Sequence, residues 1–320
     1  MRQLIVILGF LYCVPLIGQE NDSLHLAKLN LNHFEIINDI RFLKGIGLRD
    51  TLPSTRYVID IFHPYTDKPD SGFKWMLCQW SSKFNLKGIK PEIKDSNSFK
   101  YADLSKKFII HTLKNTIEIT LELRASEEYS HPRKNGEFWP HLLLEQNFDK
   151  RYSLSKLKNL VFNIDTKLVY AKNYMKSGEF DPGLHTAQFL SYLVIANTNI
   201  ASKGYNDCFY FGINLFDYRY KDIPFYASKD VGKNDATGNY IYCPAAKELY
   251  KGSLHDKEWI NLHKDLLPMI KTAFEHAKLR GFLKSTSFED LELIGFNIGW
   301  EMPGTINAEI VWKNLSIQGE

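Results

Sequence analysis

Cysteine is scarce in this 320-residue chain, and long uninterrupted apolar runs are absent. The four cysteines show no short metal-type spacing, so the sequence indicates neither a disulfide-built scaffold nor a thiolate metal site. Three of them, Cys78, Cys208 and Cys243, follow the N-terminal segment and have apolar or aromatic neighbours. We predict buried thiols at these positions, with one disulfide among the three as the alternative.

The longest apolar run is short and lies near the N-terminus. Residues 4–17 are almost wholly apolar, Arg2 precedes them, and Gly18 follows as a small residue. This is the pattern of a secretory signal peptide over residues 1–18, because the run is too short to cross a bilayer of about 30 Å. We therefore expect a secreted or periplasmic protein with no transmembrane segment.

Charge of one sign is not concentrated anywhere. The formal net charge is +3 and basic residues are interleaved with acidic ones, so the sequence predicts no nucleic-acid partner. Motifs of nucleotide-dependent, zinc-dependent and serine-dependent enzymes are missing, and we expect no cofactor. Calcium in the oxygen-rich loop 230–239 is a weak candidate, because the loop lacks EF-hand spacing and a solvated turn explains it better.

Aromatic residues and alternating segments are abundant instead. The chain is 14% aromatic, and flat rings suit the apolar faces of sugars. Residues 115–125 alternate apolar and polar side chains, which predicts a half-buried antiparallel strand. Comparable runs predict eleven strands in all, over 56–63, 74–81, 106–113, 115–125, 138–148, 160–170, 185–197, 207–216, 239–243, 291–300 and 305–317.

These strands predict an all-β fold, an antiparallel jelly-roll β-sandwich. No linker or repeat divides the chain, so we predict a single domain over 24–320. A helical insertion near 256–281 should pack on the sandwich, because its apolar residues recur at helical spacing and Gly281 supplies a stop. Pro268 should kink this helix or mark the first turn of a second one. A further helical turn is expected at 287–291.

Segment 138–148, FWPHLLLEQNF, sorts its residue types by face, because successive side chains of a strand point oppositely. One face combines an aromatic ring, an imidazole and a carboxylate, as a wall that binds or cleaves a sugar requires. The simpler alternative is a half-exposed strand whose polar side meets water. The mixed face carries Trp139, His141, Leu143, Glu145 and Asn147, and the apolar face carries Pro140, Leu142, Leu144, Gln146 and Phe148.

The C-terminal segment offers a second carboxylate. Asn297 and Glu301 share one strand face there. Glu301 is thus predicted to stand beside Glu145 across a sheet, and two carboxylates that face one groove can cleave a glycosidic bond. In the alternative interpretation, Glu301 caps a turn or pairs with a lysine. The opposite face is predicted to carry Ile294, Phe296, Ile298 and Trp300.

Two further clusters combine titratable and cationic groups. His185 opens the strand 185–197, and Gln188 points to the opposite face. His185 could exchange protons near neutral pH or serve as a hydrogen-bonded structural residue. Asp217 and Arg219 lie two residues apart and share a face, which predicts an internal ion pair. Alternatively, Arg219 could neutralise a uronate or sulfate on an acidic sugar.

The ending GWE-x-PG, followed by a strand ending in KNLSI, resembles the final strands of concanavalin A-like and related carbohydrate-active jelly rolls. The segment WPHLLLEQ is similar in character. Families with this fold include sugar-binding modules, glycoside hydrolases with paired glutamates, and polysaccharide lyases. For a hydrolase the resemblance implies Glu145 and Glu301. For a lyase it implies a base beside a cation and an amide, drawn from His141, His185, Tyr210, Arg133 and Gln188.

The sequence therefore predicts an exported protein that acts on polysaccharide or oligosaccharide, by cleaving it as a hydrolase or a lyase. A non-catalytic carbohydrate-binding or surface glycan-assembly protein is the alternative. The candidate catalytic residues are Glu145, Glu301, His141 and His185. The candidate substrate-binding residues are Trp139, Arg133, Gln188, Asp217, Arg219, Tyr210 and Asn297.

Overall fold

The structure is a computed structural model that describes residues 33–52, 56–65, 72–95, 97–114, 116–231 and 236–320. Residues Glu35–Glu320 form one compact unit. The predicted signal peptide and part of the loop 230–239 lie outside the described residues. Within the described part of the chain, no helix has the length and apolar character needed to cross a membrane.

Two β-sheets form the body of the protein. The first has, in spatial order, β15 (Ile260–Asp265), β10 (Leu160–Asn173), β17 (Ile306–Gly319), β8 (Ile117–Arg124), β7 (Lys106–Thr112), β6 (Ser98–Ala102) and β5 (Glu92–Asp95), and the short β1 (Phe34–Glu35) pairs with β17. The second has β13 (Tyr226–Lys229), β14 (Tyr240–Cys243), β12 (Cys208–Asp217), β11 (Gln188–Asn197), β16 (Leu291–Glu301), β9 (His141–Ser153), β4 (Trp75–Cys78), β2 (Ile46–Arg49) and β3 (Val58–Phe62).

The architecture confirms the predicted antiparallel jelly-roll β-sandwich. All eleven predicted strands are present, and several of them have the two-residue alternation of a half-buried strand. In β8, for example, Ile119, Leu121 and Leu123 are buried while Thr120 is half-buried on the other face. Neighbouring strands run antiparallel except in the pairs β12–β14 and β2–β4, which are parallel.

The predicted helical insertion is shorter than expected. Residues 260–265 form the edge strand β15, which pairs with β10, so the prediction of a helix starting near Asp256 is wrong. The helix α3 spans Leu267–Leu279, and Pro268 occupies its first turn, where a missing N–H costs nothing. The other α-helices are single turns, α1 (Ala125–Glu128) and α2 (Ala246–Leu249). The 3₁₀ turn at Phe288–Asp290 confirms the prediction of a helical turn at 287–291.

Large aromatic side chains fill the space between the sheets. Phe189 from β11 contacts Trp300 of β16 with ring centroids 5.2 Å apart and Trp312 of β17 at 5.4 Å. These three rings are fully buried and link the two sheets. Much of the aromatic content is therefore core. Cys78 and Cys243 are buried free thiols and Cys208 is a half-buried one, so no disulfide joins the three.

A buried ammonium group fastens the loop after β4 to the start of β7. The Lys106 Nζ is fully buried and donates to Ser82 Oγ at 2.7 Å and to the Phe84 carbonyl at 2.7 Å. Its charge is balanced by Asp103 at 3.0 Å and Glu128 at 3.5 Å. Because a buried charge is tolerated only when it is paired and hydrogen-bonded, this cluster holds the loop in one conformation.

Replacing Lys106 with Met should lower the free energy of unfolding by about 3–5 kcal/mol, because two buried carboxylates lose their counterion. Urea denaturation followed by tryptophan fluorescence measures this change. Lys44→Met is the control, since Lys44 is exposed, and it should leave the midpoint unchanged. Equal midpoints for the two variants would show that the buried cluster does not stabilise the fold.

Candidate active site

An open cleft of about 880 Å³ lies on the outer face of the nine-stranded sheet. Its floor is formed by outward-facing side chains of β9, β16, β11 and β12, and β14 and β13 continue it toward the sheet edge. Most of the predicted site residues line it: Arg133, Trp139, His141, Glu145, Gln188, Tyr210, Asp217, Arg219, Asn297 and Glu301. The predicted mixed face of β9 therefore faces the cleft, although His141 and Leu143 are themselves buried there, while Leu142, Leu144 and Gln146 point into the core.

One row of polar side chains crosses four strands of the cleft floor. The strand register places His141 beside Glu301, Glu301 beside Gln188, and Gln188 beside Asp217. Neighbouring strands are about 4.8 Å apart, so these four side chains form a continuous polar line. The sequence offered each member separately, but only sheet pairing brings them together.

Glu301 is the centre of the polar line. Its Oε2 accepts a hydrogen bond from the Trp139 indole N–H at 3.1 Å and lies 3.6 Å from His141 Nε2. A carboxylate beside an imidazole can exchange a proton with it and with a bound substrate. The structure thus gives Glu301 an arrangement suited to acid–base chemistry, rather than the turn cap or lysine pair considered as its alternative.

Glu145 lies away from Glu301. Its register partner on β16 is Asn297, four residues before Glu301, which separates the two backbone positions by about 14 Å. Glu145 Oε1 forms an ion pair with the buried Arg49 of β2 at 3.3 Å, and Arg49 lies on the side of β9 away from β16. The two carboxylates have separate partners and do not share a substrate atom in this geometry.

Trp139 contacts charged and titratable groups on several sides. The Arg133 Cζ lies 4.8 Å from its ring centroid, and the His141 ring stacks on it at 5.9 Å with an interplanar angle of 23°. These contacts together with the bond to Glu301 make Trp139 a positioning group at the centre of the site. Its predicted role as an open plate for a sugar ring is better served by other aromatic residues.

The sequence interpretation missed those aromatic residues. Tyr220, Phe225 and Tyr226 are 40%, 46% and 50% exposed and line the β12–β13 end of the cleft. Trp80 lines the opposite end, where its ring meets His141 edge-on at 6.1 Å. Tyr220, Phe225 and Trp80 lie outside the strands and Tyr226 begins the four-residue strand β13, so none of them belongs to an alternation long enough to predict its position in the cleft.

Tyr192 is another cleft residue that the sequence interpretation missed. It stands in the middle of the floor, next to Asn297 on β16 and Gly212 on β12. A Cβ on Gly212 would lie 2.8 Å from the Tyr192 ring and 2.3 Å from Cys243 Sγ, so glycine is required there. Burial raises the pKa of the Tyr192 hydroxyl well above its usual value. The hydroxyl therefore stays protonated near neutral pH and can donate a hydrogen bond as well as accept one.

A β-bulge changes one predicted face. The register of β16 shifts between Leu293 and Gly295, which reverses the alternation on its N-terminal side. Leu293 is buried, while Ile294 lines the cleft. The prediction that Ile294 shares the core face of Phe296 is therefore wrong.

His185 does not line the cleft. Its Nδ1 accepts from the Asp181 backbone N–H at 3.0 Å, and its Nε2 bonds the Arg133 carbonyl at 2.8 Å. Both ring nitrogens of this buried imidazole are thus engaged with the backbone. The structure favours the hydrogen-bonded structural role of His185, and we leave it out of the catalytic set proposed below.

Asp217 and Arg219 form the internal ion pair that their spacing predicted. Arg219 donates to both carboxylate oxygens, at 2.9 and 2.6 Å. The carboxylate of Asp217 also accepts from Gln188 Nε2 at 2.8 Å. Burial acts to raise the Asp217 pKa, but the hydrogen bonds and charge of Arg219 outweigh it and hold the pKa below 3.8. Arg219 is therefore already neutralised and is a weaker candidate for an acidic sugar.

Metal chemistry finds no support among the side chains that are described. No group of three or more potential ligands from His, Cys, Asp or Glu comes together in that part of the chain. In the loop 230–239, Asp230 Oδ2 accepts from Thr237 N–H at 2.8 Å, which is the contact of an ordinary turn. Residues 232–235 of this calcium candidate lie outside the described residues.

No protein-family model matches the chain, and no curated protein matches it in sequence. Solved structures with a similar strand arrangement include a cellulase derived from Cel12A of Rhodothermus marinus, at 10% identity and TM-score 0.38, covering 70% of this chain and 93% of that chain. Trichoderma harzianum endoglucanase 3 of family GH12 has 8% identity and TM-score 0.37, covering 78% and 100%. A family 12 xyloglucanase from Bacillus licheniformis has 11% identity and TM-score 0.39, covering 72% and 97%.

Likeness at this level concerns the arrangement of strands. No substrate and no residue role is transferred from these proteins to the present chain.

Replacing Asp217 with Asn should destabilise the protein by about 3 kcal/mol near pH 7, because it leaves the Arg219 charge unpaired. The folded-state pKa of Asp217 is lowered, so its contribution is present above the unfolded value of 3.8 and is lost as pH falls through the folded value. The difference in unfolding free energy between wild type and variant should therefore shrink in acid. Chemical denaturation at several pH values measures it, and a pH-independent difference would contradict the ion-pair explanation.

Proposed function

We propose that this protein cleaves polysaccharide in the cleft, by acid–base chemistry centred on Glu301 and His141. The observation that carries the proposal is the polar line His141–Glu301–Gln188–Asp217 across the floor of an open, aromatic-lined cleft. The line places the Glu301 carboxylate, which is partly exposed in the cleft, 3.6 Å from the buried imidazole of His141. Such a pair can take a proton from one reacting atom and return it to the leaving oxygen.

The dimensions of the cleft support a polymer as substrate. From β9 to β13 the cleft crosses five strand spacings, or about 24 Å. Aromatic side chains stand at both ends, Trp80 at one and Phe225 and Tyr226 at the other. A chain of several sugar units can therefore contact rings at each end while one linkage lies over Glu301.

The two glutamates take different roles in this proposal. A retaining hydrolase needs carboxyl groups about 5–5.5 Å apart. Glu145 is held by Arg49 on the side away from β16, so it does not supply the nucleophile for a bond at Glu301. We assign Glu145 to substrate binding, and Gln188 and Asn297 to hydrogen bonding with sugar hydroxyls along the floor.

A non-catalytic glycan-binding protein is the second candidate. The exposure of Tyr220, Phe225 and Tyr226 favours it, because a binding surface needs open rings and no convergent acid–base pair. The two candidates differ in whether Glu301 is needed for turnover or only for affinity.

We further propose that the protein acts outside the cytoplasm, on the basis of the signal-peptide pattern in residues 1–18.

Glu301→Gln should lower kcat by about 10²–10⁴-fold while polysaccharide binding persists, because the amide cannot exchange a proton. The assay incubates the purified protein with neutral and acidic polysaccharides and detects reducing ends and the absorbance of unsaturated uronates. Glu289→Gln is the matched control, since Glu289 is exposed outside the cleft. Absence of any product from the wild-type protein, with binding retained, would support the binding protein instead.

Glu145→Gln tests the division of roles in the same assay. It should weaken binding and lower stability, because Arg49 loses its partner, but it should reduce kcat far less than the change at Glu301. A larger loss of kcat at Glu145 than at Glu301 would contradict the assignment.

Trp139→Phe keeps the ring but removes the N–H that Glu301 accepts. We expect kcat to fall about tenfold with KM changed less than about twofold, since a hydrogen bond to a charged group is lost without loss of the aromatic surface. Steady-state kinetics on the cleaved polysaccharide measures both constants. A rise in KM with unchanged kcat would mean that Trp139 binds substrate and does not position Glu301.

A further inference from the structure

One buried cation of the cleft has no ion-pair partner among the described residues, whereas two other cations that line the cleft, Arg56 and Lys229, are exposed to solvent. The buried cation is Arg133, which has only 6% of its surface exposed. Its guanidinium donates hydrogen bonds to two neutral backbone carbonyls, those of Glu137 at 2.8 Å and Leu184 at 3.3 Å. No carboxylate of the described chain lies within ion-pair distance of it. Burial lowers the Arg133 pKa, since a desolvated charge is unfavourable, and the opposing charge of the nearby Glu137 does not offset this effect.

The other buried arginines near the cleft are paired. Arg49 is neutralised by Glu145 and Arg219 by Asp217. A buried charge without a partner costs stability, so Arg133 is retained at a cost that a bound anion would offset. A guanidinium has five N–H donors, and the two bonds to the Glu137 and Leu184 carbonyls leave donors for a planar or tetrahedral anion.

The position of Arg133 places such an anion beside the proposed catalytic centre. Its guanidinium lies over the Trp139 ring, and the same indole donates to Glu301. The Arg133 backbone is fixed through its carbonyl by His185. The Arg133 guanidinium is therefore held at one side of the polar line, and only the Trp139 indole links it to the Glu301 carboxylate.

We propose that the cleft is selective for an anionic polysaccharide, and that Arg133 binds the carboxylate or sulfate of the sugar unit next to the bond at Glu301. The inference rests on the proposed function, because it takes the cleft as the glycan site. It adds the charge of the substrate and names Arg133 as the residue that selects it. The predicted alternative, Arg219, is excluded from this role by its bidentate pair with Asp217.

The test compares polymers that differ only in charge. Equilibrium binding is measured with the Glu301→Gln protein, so that turnover does not interfere, against polygalacturonate and alginate, each beside its carboxyl-reduced form, and against dextran sulfate beside dextran. We expect at least one anionic polymer to bind about tenfold or more tightly than its neutral partner. A preference within the first two pairs assigns a uronate, and within the third a sulfate.

A second change at Arg133 then identifies the selecting group. Adding Arg133→Gln should abolish the preference by lowering affinity for the anionic polymer to about that for its neutral partner, whereas Arg133→Lys should keep part of the preference because the charge remains. Arg151→Gln is the control, an exposed arginine of β9 outside the cleft. Thermal melting of each variant verifies the fold, and Arg133→Lys carries the test if Arg133→Gln does not fold.

Two results would overturn the inference: equal affinity within all three polymer pairs, or a preference that survives Arg133→Gln. Its failure is distinguishable from failure of the proposed cleavage. Cleavage of a neutral polymer that is unaffected by Arg133→Gln would leave the cleavage proposal standing and this inference refuted. Arg133-dependent binding of an anionic polymer without any product would support this inference and refute the cleavage proposal.

Discussion

The lateral register of four antiparallel strands, β9, β16, β11 and β12, is the constraint on which the cleft depends. It decides that His141, Glu301, Gln188 and Asp217 share one line. Gly299 helps to fix this register, because a Cβ there would lie 2.2 Å from the Leu142 carbonyl oxygen and 2.7 Å from the Leu143 Cα. A slip by one residue would turn the same side chains into the core. The chemistry of the site is therefore a consequence of backbone pairing.

The interior explains why this register is stable. Trp300 alternates with Glu301 on β16, so the residue before the proposed catalytic carboxylate is a fully buried indole that packs on Phe189. The Trp300 N–H also donates to the Leu121 carbonyl of the facing sheet at 3.0 Å. Packing between the sheets thus positions the outer face. A change in the packing of Trp300 in the core would also move Glu301 on the opposite face of β16.

Buried charged groups in and around the cleft have partners within the protein, with one exception. Acidic side chains are satisfied locally, Glu145 by Arg49, Asp217 by Arg219, and Glu301 by the Trp139 indole. These contacts keep the acids in place without substrate. Arg133 is the exception among the buried, described residues, and its lack of an ion-pair partner is the feature that relates the cleft to the chemistry of a ligand.

The sequence by itself determined eleven of the seventeen described strands, the fold class and the outward face of β9, because a two-residue alternation is a local property. It could not distinguish the strand β15 from a helix, since six residues before a proline carry too short a pattern. It also could not predict the bulge that exposes Ile294, or that Glu145 and Glu301 pair with different partners. Those outcomes depend on which strands become neighbours and in what register. Only the tertiary structure decides that, because contacts between distant segments leave no signal in the local pattern.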